Sequence, residues 1–231
     1  MTTNYIVIYT LIAVAVIFCS LFIIWQEKEK PWLSLCLKGF ASLSFCALGL
    51  TGMFLATSLF LPMLFIVLGL VTSILGDLFL AGINYDNLNK DHTIISGMIA
   101  FSVAQIFYFL GLVFWTGFTI WPIIIAAVFA VGSILLEKPL KLEFGKTKYF
   151  ALVYAFFLAL TVAQSIFTAI SIGFSHVGIL LVIGFVLFLL SDLVLEMIYF
   201  KKDGNKTLLT YINLALYYVA QILIATSIFF I

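Results

Sequence analysis

Eight apolar runs, each roughly 20 residues long, follow one another along this chain with only short polar turns between them. A run of that length crosses the hydrocarbon core of a bilayer as a helix, since a helix satisfies its own backbone groups where no water can. The expected spans are 5–25, 32–50, 59–81, 93–115, 118–136, 149–170, 177–200 and 207–230. Charged residues make up only 9% of the 231, against about a quarter in a soluble domain, and mean hydropathy is +1.29. The expected fold is therefore an all-α polytopic membrane protein of eight transmembrane helices, with no room for a soluble domain. The first run lacks a preceding basic segment and a following small-residue cleavage pattern, so it is expected to be a retained helix. A net charge of +1 gives no reason to expect nucleic acid as a partner. Cys19, Cys36 and Cys46 all fall in apolar runs and read as small buried hydrophobes.

Lysines set the expected orientation, because the chain has no arginine. Lys28 and Lys30, Lys90, Lys138 to Lys148, and Lys201 to Lys206 fall in the turns after spans one, three, five and seven. Every lysine but Lys38 lies there. By the positive-inside rule those turns are cytoplasmic and both termini are on the non-cytoplasmic side. The expected location is a bacterial cytoplasmic membrane.

A second pattern divides the chain in two. Leu-Gly-Asp-Leu at 75–78 and Leu-Ser-Asp-Leu at 190–193 each place one carboxylate inside an apolar run, and Val-Ala-Gln-Ile recurs at 103–106 and 219–222. Asp77 precedes Gln105 by 28 positions and Asp192 precedes Gln221 by 29. The halves read as two parallel four-helix repeats within one transmembrane domain, about 1–136 and 149–231, joined by a polar linker at 137–148. Parallel repeats put equivalent residues at one depth, about a pseudo-twofold axis along the membrane normal. Asp192, nine residues before Lys201, then lies roughly 12 Å inside the cytoplasmic boundary.

An ionisable group in a span costs roughly 2.5–3.5 kcal/mol to insert, which makes Asp77 and Asp192 candidate functional residues. Lys38 enters span two from the same side, and Glu196 follows Asp192 by one helical turn. Ser191, Asn213, Tyr217, Gln221, Gln105 and Tyr108 complete a polar set that can line one cavity opening toward the cytoplasm. Plainer roles compete. Lys38 can snorkel to headgroups, Glu196 can be solvated, and the amides can be interhelical hydrogen-bond glue. The aspartates can be buried structural partners. His92 and His176 fall on opposite sides of the membrane, so no shared metal site or other cofactor is expected. A proton- or cation-coupled transporter or channel built from such repeats is one reading of the set. A non-catalytic lipid-binding or scaffold protein is another.

Lys38, Gly76-Asp77, Gln105 with Tyr108, Tyr154, Phe188 to Asp192, and Tyr217 to Gln221 form an ordered set through which the chain resembles the YhhN family of integral membrane proteins. Gly39 departs from the pattern, where the family often has proline. The resemblance implies lysoplasmalogenase activity, the hydrolysis of the vinyl ether bond of a lysoplasmalogen to a fatty aldehyde and glycerophospho-ethanolamine or -choline. The implied partners are a lysophospholipid substrate and membrane lipid. Vinyl ether hydrolysis needs an acid to protonate the β-carbon and a carboxylate to stabilise positive charge or orient water. Two buried aspartates suit that pair of roles and would titrate as a coupled dyad. Asp192 is expected to be the acid and Asp77 the ionised partner of Lys38, with the other polar residues binding substrate.

Overall fold

A computed structural model of the protein describes residues 2–25, 31–56, 59–82, 90–201 and 205–231. The helices are α1 (Thr2–Trp25), α2 (Pro31–Leu55), α3 (Phe60–Gly82), α4 (Lys90–Thr116), α5 (Trp121–Leu140), α6 (Lys148–Ser171), α7 (His176–Phe200) and α8 (Lys206–Ser227). Each is long and apolar enough to cross a membrane. No strand occurs among the described residues, and the expected all-helical architecture of eight spans is the one observed. The turn at 26–30, with Lys28 and Lys30, most of the polar loop after span three, and Lys202 lie outside the described residues.

Several boundaries differ from those read along the sequence, and local chemistry accounts for them. α5 starts at Trp121 and not at Phe118 because Gly117 turns the chain with φ +89° and Pro122 suits a first helical turn. The same helix runs past Glu137 and Lys138 into what reads as linker, and stops where Lys141 adopts a left-handed φ of 54°. The rest of the linker is tied down. Leu142 makes an antiparallel bridge with Lys201, the Glu143 amide donates to the Phe200 carbonyl at 2.9 Å, and the Phe144 and Phe200 rings lie 4.6 Å apart. α2 passes through Gly39 as an unbroken helix and reaches Leu55. Of the cysteines, Cys19 and Cys46 are buried, but Cys36 is exposed on the outward face of α2, so its apolar run was a lipid-facing signal and not a core one.

Neighbours pair in a regular way. α3 packs along α4 and α7 along α8, with α1 on α2 and α5 on α6; α2 also meets α3 and α8, while α6 meets α7 and α4. α5 is peripheral and turns Ile125, Val128, Val131 and Leu135 outward. With no water to exclude between helices, tight contact depends on small residues at the crossings. A Cβ at Gly69 would stand 2.4 Å from the Tyr108 ring, and one at Gly184 would stand 2.8 Å from Ile224. These two glycines are 115 positions apart and the side chains they admit are 116 apart, so the α3–α4 and α7–α8 crossings use the same device.

Overpacking a crossing of this kind costs about 1–3 kcal/mol. Gly69→Val and Gly184→Val are each expected to lower unfolding stability in detergent by about that amount. Gly132→Ala, with open space around the site, is expected to be neutral or slightly stabilising, by up to about 1 kcal/mol. Thermal unfolding followed by circular dichroism checks all three.

Candidate functional site

A cavity of about 210 Å³ lies between α2, α3, α7 and α8, with Phe101 of α4 as part of its wall. Its polar lining comes from the first turns of α2 and α8 and the later turns of α3 and α7, so it sits toward one end of the bundle. Ser34, Lys38, Asp77, Ser191, Asp192, Thr210, Asn213 and Tyr217 all face it. The two repeated aspartates therefore share one enclosure, although they stand 115 residues apart in sequence.

Asp77 is almost fully buried and meets donors on every side. Ser42 Oγ donates to its Oδ2 at 2.6 Å and Tyr217 Oη donates to the same oxygen at 2.8 Å. Lys38 Nζ lies 3.4 Å from Oδ1 and is itself buried, so this lysine does not snorkel to the headgroups. Donor-only surroundings of that kind suit a carboxylate, which only accepts, and an ion pair of good geometry offsets the cost of its desolvation.

Asp192 has a different environment. Tyr154 Oη of α6 donates to its Oδ2, and among the described residues no cation forms an ion pair with it. The two partners stand at nearly the same sequence offset from their acids. Lys38 precedes Asp77 by 39 positions and Tyr154 precedes Asp192 by 38. α2 thus presents a cation to one acid and α6 a phenol to the other.

The remaining sequence-selected residues divide into two groups. Asn213 donates from Nδ2 to the Ser191 carbonyl at 2.7 Å and to Ser191 Oγ at 3.1 Å, which ties α8 to α7 beside Asp192. Tyr217 lines the cavity. Gln221 and Tyr108 do not. They lie behind Tyr217 in a buried chain, in which Tyr108 Oη donates to Gln221 Oε1 at 2.9 Å and Gln221 Nε2 donates to Tyr217 Oη at 3.1 Å. Ser73 Oγ stands 3.4 Å from Tyr108 Oη. Their expected place against substrate is corrected to a supporting one: they orient the phenol that holds Asp77. Gln105 is fully buried away from the cavity, and neither atom of its amide has a hydrogen-bond partner among the described residues. Its backbone carbonyl accepts from Thr161 Oγ1 of α6 at 3.0 Å. Glu196 is half-buried and faces a cleft that also holds the Glu137–Lys148 ion pair.

Ser42, Thr210 and Phe101 were not legible as site residues. Tyr154 was visible in the sequence but had no assigned role; the repeat offset that aligns it with Lys38 is the signal that would have supplied one. Among the described residues no group of three His, Cys, Asp or Glu side chains converges as a metal site would require.

Eight helices long and apolar enough to span a bilayer, with two acids in one polar cavity, define the class as a multi-pass helical membrane protein. The chain belongs to the YhhN family, whose family model matches residues 30–228, most of its length. No curated protein and no solved structure matches the chain.

The ion pair carries a stability prediction. Lys38→Met leaves the buried Asp77 carboxylate without its cation and is expected to cost about 3 kcal/mol. Asp77→Asn in the Lys38→Met background removes the stranded charge and is expected to recover most of that loss. A double-mutant cycle of unfolding in detergent reads the coupling.

Proposed function

We propose that this protein hydrolyses the vinyl ether bond of lysoplasmalogens, releasing a fatty aldehyde and the glycerophospho-ethanolamine or -choline. The observation that carries the reading is the pair of unlike aspartates in one cavity, Asp77 held by Lys38 and Asp192 held by Tyr154. Membership of the YhhN family, which is associated with hydrolase activity, supports it.

In the mechanism, Asp192 gives its proton to the β-carbon of the vinyl ether, and an oxocarbenium ion forms at the carbon next to the ether oxygen. The Asp77 carboxylate stabilises that positive charge. Water adds to the cationic carbon and its proton passes to the Asp192 carboxylate, which restores the acid. The resulting hemiacetal breaks its bond to the glycerol oxygen; that oxygen takes up the hemiacetal proton and leaves as the alcohol, while the carbonyl of the aldehyde forms. One water is consumed and the acid–base groups end as they began. Ser191, Asn213 and Tyr217 line the space in which glycerol and water would be oriented.

The same proposal sets the protein in a bacterial cytoplasmic membrane with the lysine-bearing turns inward, so that the cavity opens to the cytoplasm. It also takes the chain as two parallel repeats. The matching glycine crossings and the matching pairs α4–α6 and α8–α2 support that arrangement.

Two measurements test the reading. Purified protein in detergent or liposomes is expected to release aldehyde from lysoplasmenylethanolamine, and Asp77→Asn and Asp192→Asn are each expected to lower the rate at least about a hundredfold, the usual scale for a general acid–base group. Release that survives both substitutions removes the aspartates from the mechanism, and proton or cation flux without lipid turnover favours a transporter instead. For orientation, a reporter enzyme active only outside the cytoplasm is expected to be active when fused after Ile231 and silent when inserted at Lys146; the reverse pattern inverts the topology.

A further inference from the structure

The polar cavity does not end at Asp192. On the far side of Phe101 a second space opens among Ile94 and Met98 of α4, Tyr154 of α6, and Glu196 and Phe200 of α7. Leu80, Phe101, Asp192, Leu195 and Tyr199 line both spaces. Asp192 is the one carboxylate the two have in common: Asp77 faces only the first, and Glu196 only the second of this pair. The compartments differ in character. The first holds Lys38, Ser34, Thr210 and Asn213, whereas the second is walled almost wholly by aliphatic and aromatic side chains.

We infer that a single-chain amphiphile binds across Asp192, with its polar head in the cavity beside Lys38 and the head end of its hydrocarbon chain in the crevice between α4 and α7. The inference rests on the hydrolase reading only for what happens next. If the bond joining head and chain is the one that reacts, it lies at Asp192, and Asp192 rather than Asp77 touches the reacting carbon. Lys38 has further N–H donors beyond the one toward Asp77 and meets the anionic phosphate of the head. The crevice encloses only about 30 Å³, room for the first one or two carbons of a chain. Met98, half-buried at its edge, is unbranched and adaptable, and is the side chain that gives way as the chain enters. Phe101 is the partition. Its ring packs over Gly76, where a Cβ would stand 2.6 Å away, so the residue before Asp77 has no side chain in order that the wall can stand there.

Photolabelling tests the orientation without turnover. The probe is a lysophosphatidylethanolamine analogue with a saturated ether in place of the vinyl ether and a diazirine near the head end of its chain. Expected labelling falls on residues 94–101 of α4 and 195–200 of α7 in the wild-type protein. Labelling instead at Phe22, or in the apolar groove of Phe129, Val162 and Ile166 on the α5–α6 side, overturns the inference, as does no labelling at all. Met98→Trp fills the crevice and is expected to raise the Kd of the ether lipid about tenfold, the loss from excluding two methylenes, with binding of chainless glycerophosphoethanolamine unchanged. An equal effect on both ligands, or none on either, also overturns it. Labelling at the expected segments in a protein that releases no aldehyde leaves the orientation standing and removes the hydrolase.

Discussion

A charge inside a lipid-embedded bundle must find its counter-charge and its hydrogen bonds within the protein. That requirement organises the cavity end of this molecule. The Asp77 carboxylate collects Lys38 and Ser42 from α2 and Tyr217 from α8. Three helices are thereby held around one group. The tyrosine is in turn fixed by Gln221, and Gln221 by Tyr108 of α4. One buried carboxyl group and the chain of hydrogen bonds behind it thus link four helices, and each member must stay in place for the next to be satisfied.

The two halves of the chain solve the same problem with different chemistry. Crossings of α3 with α4 and of α7 with α8 are set by glycines at equivalent positions, and each acid takes a partner from the helix two before the later member of its pair. At the partner position, however, one half carries lysine and the other tyrosine. The result is two carboxyl groups in unlike surroundings, one ion-paired and one bonded to a phenol.

The end of the bundle beside the crevice is closed by a segment between helices. The linker after α5 docks on the end of α7 through the Leu142–Lys201 bridge and the Phe144–Phe200 contact, and Ile94, Leu142 and Phe200 cluster beneath the crevice. The segment between α5 and α6 is thus a structural floor and not a loose tether. It keeps the α4, α6 and α7 ends together around the apolar compartment that adjoins Asp192.

Much of this was legible in the sequence. The eight spans, the acids worth attention, Lys38 as a cavity residue and the second-half motif around Asp192 follow from hydropathy, from the rarity of charge in apolar runs and from internal repetition. These are signals that local composition carries, because lipid imposes the same demand on every span. Other features required the tertiary structure. Tyr108 and Gln221 were expected against substrate and instead stand behind Tyr217, while Gln105 is buried and does not line the cavity. Residues of similar polarity at similar depth cannot be told apart until helix rotation is known. Rotation is decided by which small residues meet which large ones across a crossing, a pairing between distant segments that no single stretch of sequence contains.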